Sequence, residues 1–68
     1  MNTQEIQFLE ENIIKLLESC KKAEIDDILD YLDYINKVRY SKKDIAPVLD
    51  KLLLNKKIIL NNNTYLLK

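Results

Sequence analysis

Apolar residues recur at three- and four-residue spacing near the start of the chain, which is the pattern of one face of a helix. They are Ile6, Leu9, Ile13, Leu16, Leu17 and Cys20. Asn2 and Glu5 precede this stripe as a capping pair, in which the asparagine accepts from first-turn amides and the glutamate reaches back. The pattern predicts a first helix with a buried stripe, in which Cys20 is a buried thiol. Phe8 points away from the stripe, either as a surface residue or as a contact to something outside this chain.

A second apolar stripe predicts a helix that runs from Ala23 or Glu24 to Asn36. Its members are Ile25, Ile28, Leu29, Leu32 and Ile35. The opposite face is acidic and carries Asp26, Asp27, Asp30 and Asp33. Such a face is usually only solvated, but the additional Tyr34 makes it a second candidate surface for a partner. Residues 37–40 are expected to form a short extended link.

A third stripe follows Ser41 and Asp44, which have the spacing of a capping box. It consists of Ile45, Val48, Leu49, Leu52 and Leu53. Asn55 stands where a left-handed residue normally ends a helix. Pro47 leaves two interpretations open. Either the helix begins at Ser41 and is kinked by a missing hydrogen bond, or it begins near Ala46 with the proline in its first turn.

Two short apolar runs close the chain, residues 58–60 and 64–67, with three asparagines between them. The chain has no glycine, and asparagine is the next most permissive residue for the positive φ of a tight hairpin turn. We therefore expect a C-terminal β-hairpin that packs on the helices, because two strands alone are marginal in water. Three helices followed by a hairpin is the order of a winged helix, an α+β fold. The prediction is one winged-helix domain over residues 1–68, excised from a longer chain, so that Met1 need not be a true start.

Composition excludes several classes of function. With one cysteine and no histidine, the chain cannot build a disulfide framework or a His/Cys metal site. No serine or cysteine lies beside a plausible base and no glycine loop could hold phosphate, so we expect a protein that is not an enzyme by itself and needs no cofactor or metal. No apolar run approaches the ~18 residues of a membrane span, and no signal peptide is visible. These features predict an intracellular protein, cytoplasmic or nuclear.

The net charge is zero but is distributed unevenly. Residues 1–36 hold three lysines and nine carboxylates, whereas residues 37–68 hold eight basic residues and two carboxylates. Such asymmetry often marks a binding face, although two solvated surfaces of different charge would produce the same count.

The third helix is the usual DNA-reading element of a winged helix, and here it lies in the basic part of the chain. Its predicted outward residues are Lys43, Pro47, Asp50, Lys51 and Leu54. Base edges are read mainly by Arg, Asn and Gln, and the negative charge of an aspartate repels the phosphates of DNA. The mixture of Pro, Leu and Lys therefore favours a protein partner over DNA. The predicted contacts are Lys43, Pro47, Lys51 and Leu54 on the helix, Lys56 and Lys57 at the start of the wing, and Tyr34 on the second surface.

Several segments resemble the last winged-helix domain of the cullin family, in particular of the cullin-homology subunit of the anaphase-promoting complex. They are Ile13-Ile14-x-Leu16-Leu17, Ile25-Asp26-Asp27-Ile28-Leu29-x-x-Leu32, Asp44-Ile45-x-x-x-Leu49-x-x-Leu52-Leu53-x-Asn55-x-x-Ile58 and Tyr65-Leu66-Leu67. The resemblance implies a protein-interaction domain in the scaffold of a multisubunit ubiquitin ligase of the cell cycle, active in mitosis. Its partners would be other ligase subunits and a ubiquitin-carrying enzyme, which the domain helps to position.

One position departs from the cullin pattern. Cullins carry, in the helix that corresponds to the first one here, a lysine that accepts the modifier Nedd8, and Glu18 stands at its place. This modification is therefore not expected, unless the alignment shifts to Lys21 or Lys22. The alternative functions are a small winged-helix DNA-binding protein of transcription or replication, and a winged-helix adaptor of replication or endosomal sorting complexes.

Overall fold

Within residues 2–68, which the computed structural model describes, the chain forms three helices and a three-stranded antiparallel sheet. The elements follow the order α1, β1, α2, α3, β2, β3. This confirms the α+β class, the three helices and the C-terminal hairpin. The prediction for Met1 falls outside the described residues.

The first helix, α1, spans Thr3–Cys20. Asn2 caps it as predicted, because its side-chain oxygen accepts from the Glu5 N–H at 2.8 Å. The Glu5 side chain has a different partner from the predicted one: its Oε2 accepts from the Tyr40 hydroxyl at 3.0 Å. The start of α1 is thereby tied to the chain just before the third helix.

A strand that the sequence pattern did not predict, β1, spans Lys22–Glu24, and the second helix, α2, spans Ile25–Asn36. The predicted start of this helix at Ala23 or Glu24 is therefore one to two residues early. Ala23 is buried in the strand, and Glu24 is the N-cap residue. Its N–H donates to Asp27 Oδ2 at 3.0 Å, and the helix begins at the next residue.

The third helix, α3, spans Lys42–Leu54 and is capped as predicted. Ser41 Oγ accepts from the Asp44 N–H at 3.2 Å, and Asp44 Oδ2 accepts from the Ser41 N–H at 3.0 Å. This confirms the interpretation in which the helix begins at Ser41, and the alternative start near Ala46 is wrong. Pro47 accordingly lies in the helix interior.

The end of α3 differs from the prediction by one residue. Asn55 has a φ of −82°, so the expectation of a left-handed asparagine is wrong, and Lys56 has the positive φ instead. The Lys56 N–H donates to the Leu53 carbonyl at 3.1 Å, and the next N–H donates to the Leu52 carbonyl at 2.9 Å. This pair of bonds is a Schellman ending, in which the left-handed residue follows the C-cap.

A lysine with positive φ follows each of the three described helices. The φ values are 72° at Lys21, 57° at Lys37 and 60° at Lys56. A side chain with a Cβ costs roughly 1–2 kcal/mol in this conformation, which a glycine would avoid. In a chain without glycine, each helix end therefore carries backbone strain.

The hairpin consists of β2, Ile58–Asn61, and β3, Thr64–Leu67. Asn62 and Asn63 both have positive φ, at 50° and 67°, so the two form the two-residue loop of a type I′ turn. Asn61 belongs to the strand instead, where it pairs with Thr64. The third strand, β1, pairs with the other edge of β3 and places it at the centre of the sheet.

The core lies between the helices and one face of the sheet. Its largest fully buried side chains are Leu9, Ile13, Leu17, Ile28, Leu32, Ile45, Val48, Leu49 and Ile58. Each contributes about 1.5–3 kcal/mol of hydrophobic stabilisation. Cys20 is exposed, so the prediction of a buried thiol is wrong; α1 ends there, after its stripe has passed the core at Leu17. No helix within residues 2–68 combines the length and apolarity needed to cross a membrane.

Candidate partner-binding surface on the third helix

Four of the predicted contact residues lie along one side of α3. Lys43, Pro47, Lys51 and Leu54 follow one another at spacings of four, four and three, so they form a continuous stripe on the helix. All four are exposed, and Leu54 is 81% exposed. The structure therefore brings these four predicted residues together on one accessible surface.

Beside this stripe runs a groove of about 330 Å³ between α1 and α3. We call it the α1–α3 groove; its lining residues are Ile6, Lys43, Asp44, Pro47, Val48 and Lys51. Ile6 is half-buried and Val48 is 2% exposed, so the floor is apolar and the lysines stand at the rim. Ile6 was expected only as a core residue, because its spacing in α1 does not reveal which helix it faces.

Lys51 is not a free charge. Its ammonium lies 3.7 Å from a carboxylate oxygen of Glu10, and the Glu10 side chain is only 17% exposed. The pair joins α3 to α1 along the groove. Lys43, by contrast, forms no ion pair with any residue in the described range 2–68.

The two contacts predicted at the start of the hairpin, Lys56 and Lys57, lie outside the α1–α3 groove. Lys56 is the left-handed residue that ends α3. Lys57 lines a separate depression of about 470 Å³. The other residues of this depression are Glu10, Glu11, Ile14, Lys15, Glu18 and Leu52. The six residues predicted on α3 and at the start of the hairpin are thus divided between the stripe of four and two lysines outside it, of which Lys57 faces a depression with more carboxylates than lysines.

Asp50, which was expected to face outward with the lysines, is exposed. Burial raises the pKa of Tyr65 on β3, and the Asp50 carboxylate raises it further.

The second predicted surface, the outer face of α2, is partly neutralised. Tyr34 is 75% exposed as expected, and the Lys37 ammonium lies 5.7 Å from the centre of its ring. Asp33 accepts from Arg39 at 3.0 Å. The next acid along this face with an ion-pair partner is Asp26, whose carboxylate is 3.9 Å from an α3 lysine.

About half of the excess charge in each part of the chain is paired with opposite charge in the other part. Each of the three ion pairs that residues 2–68 form joins an acid from residues 1–36 to a base from residues 37–68. Counting those pairs as neutral halves the excess charge of each part of the chain, from six to three. The asymmetry therefore reports in part how the two parts pack on each other, and only the remainder is a free charged surface.

The sequence pattern missed Tyr40, which is 7% exposed and supports the start of α3. Its hydroxyl accepts from Asn36 Nδ2 at 2.8 Å and donates to Glu5 at 3.0 Å. Burial raises the pKa of Tyr40, and the hydrogen bond to Glu5 raises it further. One signal was present: Tyr40 precedes the N-cap residue and Ile45 stands at the fourth helical position, which is the spacing of a hydrophobic staple.

The groove offers apolar area, the ammonium groups of Lys43 and Lys51 and the carboxylate of Asp44, which are groups that can bind a ligand. No group of three or more His, Cys, Asp or Glu side chains in the described part of the chain could hold a metal ion. Comparison with models of protein families, with curated proteins and with solved structures found no match to this chain.

Proposed function

We propose that this chain is a winged-helix domain that binds another protein through the exposed side of α3. The order of elements supports the winged-helix assignment: α3 is followed directly by a hairpin, and β1, which lies between α1 and α2, completes the sheet against β3. In such a domain α3 is the element that is free to meet a partner.

The observation that carries the proposal is the apolar character of the exposed side of α3. Pro47 and Leu54 are both exposed there, and the neighbouring groove has Ile6 and Val48 in its floor. Neither a proline nor a leucine can hydrogen-bond a base edge, whereas both add apolar area to a protein interface. A protein partner uses these residues, and DNA does not.

The resemblance to cullins gives the proposal a specific form. In that form the domain belongs to a scaffold subunit of a multisubunit ubiquitin ligase and helps to position the ubiquitin-carrying enzyme. Glu18, at the place of the lysine that cullins modify, is exposed and cannot accept the modifier. A carrying enzyme is accordingly the first partner to test.

A DNA-binding domain is the second candidate, and one observation favours it. Lys43, Lys56 and Lys57 are exposed and make no ion pair within residues 2–68. Three lysines that each neutralise one phosphate would produce a log–log salt slope of about −3 on duplex DNA. Such binding would be weak and insensitive to sequence, because lysines of this kind contact the backbone.

The test compares both ligands on the same protein. Fluorescence anisotropy measures binding to random duplex DNA across a salt series, and NMR follows a titration with a ubiquitin-carrying enzyme. We expect no DNA binding at tens of micromolar (~0.15 M salt) and saturable shifts at α3 residues with the protein partner. Lys43→Glu should abolish those shifts, and Lys22→Glu, an exposed lysine on β1, is the matched control.

Two outcomes would overturn the proposal. Submicromolar DNA binding with a log–log salt slope of about −3 or steeper would make DNA the partner, because several phosphates would then be engaged. Equal effects of Lys43→Glu and Lys22→Glu on protein binding would show that α3 is not the contact surface.

A further inference from the structure

A second groove, also of about 330 Å³, lies where the hairpin meets the starts of α2 and α3. We call it the hairpin groove; its lining residues are Glu24, Ile25, Asp26, Lys42, Leu60, Asn63 and Tyr65. This set shares no residue with the lining of the α1–α3 groove. A ligand of the hairpin groove is therefore bound by different side chains from a partner of the α1–α3 groove.

The hairpin groove has an apolar wall that contains an aromatic ring. Leu60 and Tyr65 are directly opposite each other on β2 and β3, so their side chains are neighbours on one face of the sheet. Leu60 is 49% exposed, and Tyr65 and Ile25 are half-buried. The wall thus leaves apolar and aromatic area that a ligand side chain can cover.

The charged residues of the hairpin groove have a net negative charge. Glu24 and Asp26 contribute two carboxylates, and Lys42 contributes one ammonium group. Lys42 lies 3.9 Å from Asp26, and their side chains are 66% and 78% exposed, so this pair is neutral and weakly held. Glu24 is exposed and forms no ion pair within residues 2–68; Lys22, two residues before it, lines a neighbouring depression and is not paired with it. One carboxylate of the groove therefore remains uncompensated.

Two further carboxylates act near the hairpin groove without lining it. Asp27 accepts from the Glu24 N–H at 3.0 Å, so it meets the partial positive charge at the start of α2. Burial raises the pKa of Tyr65, and the Asp50 carboxylate raises it further, so the potential at this ring is negative. An aromatic ring beside carboxylates is an arrangement that recognises cations, because the face of the ring also attracts positive charge.

The size of the hairpin groove limits its occupant to about one side chain. A volume of about 330 Å³ is that of roughly ten liquid water molecules, near the lower end of the range for ligand pockets. The guanidinium of an arginine is planar, so it can stack on a ring and hydrogen-bond a carboxylate at the same time. A lysine ammonium is a compact point charge that cannot stack in this way. The combination of a ring and a carboxylate therefore favours arginine.

We propose that the hairpin groove binds an arginine of a partner protein, with the guanidinium at the Tyr65 ring and the Glu24 carboxylate and an apolar neighbour of that arginine against Leu60. This inference goes beyond the proposed function, because it adds a contact surface that uses no residue of the α1–α3 groove. It commits to a basic side chain because the uncompensated charge of the groove is negative.

NMR titration of the whole chain with four capped pentapeptides tests the proposal. The first has a central Arg-Leu pair flanked by glycine and serine, and the others replace the arginine with citrulline, lysine or glutamate. We expect the arginine peptide to shift the methyl signals of Leu60 and the ring signals of Tyr65 in a saturable way. The citrulline peptide, which has the same shape without the charge, should bind about tenfold more weakly and the lysine peptide about threefold more weakly. The glutamate peptide should show no saturation.

Three variants locate the contact. Glu24→Gln removes the charge at nearly constant volume and should weaken the arginine peptide about fivefold. Glu11→Gln makes the same change at an exposed carboxylate outside the groove and should leave the affinity unchanged. Lys42→Gln removes the competing ammonium group and should strengthen binding about twofold. Because the effects at Glu24 and Lys42 have opposite signs, a loss of folding cannot produce both.

The inference is overturned if the arginine and citrulline peptides bind equally, if the shifts map away from Leu60 and Tyr65, or if Glu24→Gln and Glu11→Gln have the same effect. Equal affinity for the arginine and lysine peptides would overturn the assignment to arginine. The shifts are measured at residues outside the α1–α3 groove, so failure of this inference is distinguishable from failure of protein binding at α3.

Discussion

Removal of the Tyr40 hydroxyl is the most direct test of how the three helices are held together. In wild-type protein the hydroxyl is bonded to Asn36 at 2.8 Å and to Glu5 at 3.0 Å, so it joins the end of α2, the start of α1 and the residue before the cap of α3. Tyr40→Phe keeps the buried ring and deletes only these two bonds. A hydrogen bond to a charged group contributes about 1.5–3 kcal/mol, and a neutral one about 1 kcal/mol.

The expected loss is smaller than the sum of those figures. Glu5 and Asn36 are half-buried, so water can replace part of what the hydroxyl provided. We expect Tyr40→Phe to lower the free energy of unfolding by about 1.5 kcal/mol, from a total of about 3–10 kcal/mol for a chain of this size. The melting temperature should fall by about 6–12 °C.

Urea unfolding followed by far-ultraviolet circular dichroism measures this change, with Tyr34→Phe as the control because Tyr34 is 75% exposed. A double-mutant cycle with Glu5→Ala isolates the bond to Glu5. A coupling free energy below about 0.3 kcal/mol, or equal losses for the two tyrosine variants, would refute the role assigned to Tyr40.

The pH dependence of the same variant provides a second check. The pKa of Tyr40 is raised above 10.0 by burial and by Glu5, so the folded state favours the neutral phenol. Its contribution to stability is present below pH ~10 and is lost as the pH rises through the native pKa. Wild-type protein should therefore lose more stability than Tyr40→Phe above pH ~10.

Three further substitutions test the local geometry. Lys56→Gly should raise the free energy of unfolding by about 1 kcal/mol because it removes left-handed strain, whereas Lys51→Gly in the helix interior should lower it by about 1 kcal/mol, both by urea unfolding. Asn63→Gly, at φ 67°, should stabilise the hairpin and Asn61→Gly, in the strand, should weaken it; the reverse order of melting temperatures would contradict the turn assignment. Capping hydrogen bonds hold the pKa of Asp44 below 3.8, so its contribution is present above pH ~4 and is lost as the pH falls through the native pKa. Asp44→Asn should therefore flatten the acid limb of the stability curve, and an unchanged acid limb would show that this carboxylate is not bonded in solution.

The helices and the hairpin could be predicted because their signals are local. Apolar spacing, two capping patterns and a run of asparagines each act within a few residues, and all are present in the printed sequence. The strand β1 could not be predicted in this way. Its three residues contain no β-branched or aromatic side chain, and Ala23 becomes a strand residue only because Tyr65, 42 positions later, pairs with it.

The candidate site was predictable in its residues and not in its shape. The spacing of Lys43, Pro47, Lys51 and Leu54 places them on one side of a helix wherever that helix packs. The groove depends on where α1 crosses α3, and the pairing of Lys51 with Glu10 depends on the same packing. Cys20 was predicted wrongly for the same reason. Its spacing places it on the apolar stripe of α1, but the last buried residue of that stripe is Leu17, and the helix extends beyond the core to Cys20.

The exposed residues of α3 distinguish protein binding from DNA binding better than the charge distribution along the chain does. Half of the excess charge in each part of the chain is used in ion pairs between the parts, so a basic sequence does not imply an equally basic surface. Pro47 removes one backbone hydrogen bond from α3, and Leu54 is a large apolar residue that is 81% exposed to water. Neither side chain can hydrogen-bond a base edge or neutralise a phosphate. Both are favourable where a second protein covers them, because burial then converts exposed apolar area into binding free energy.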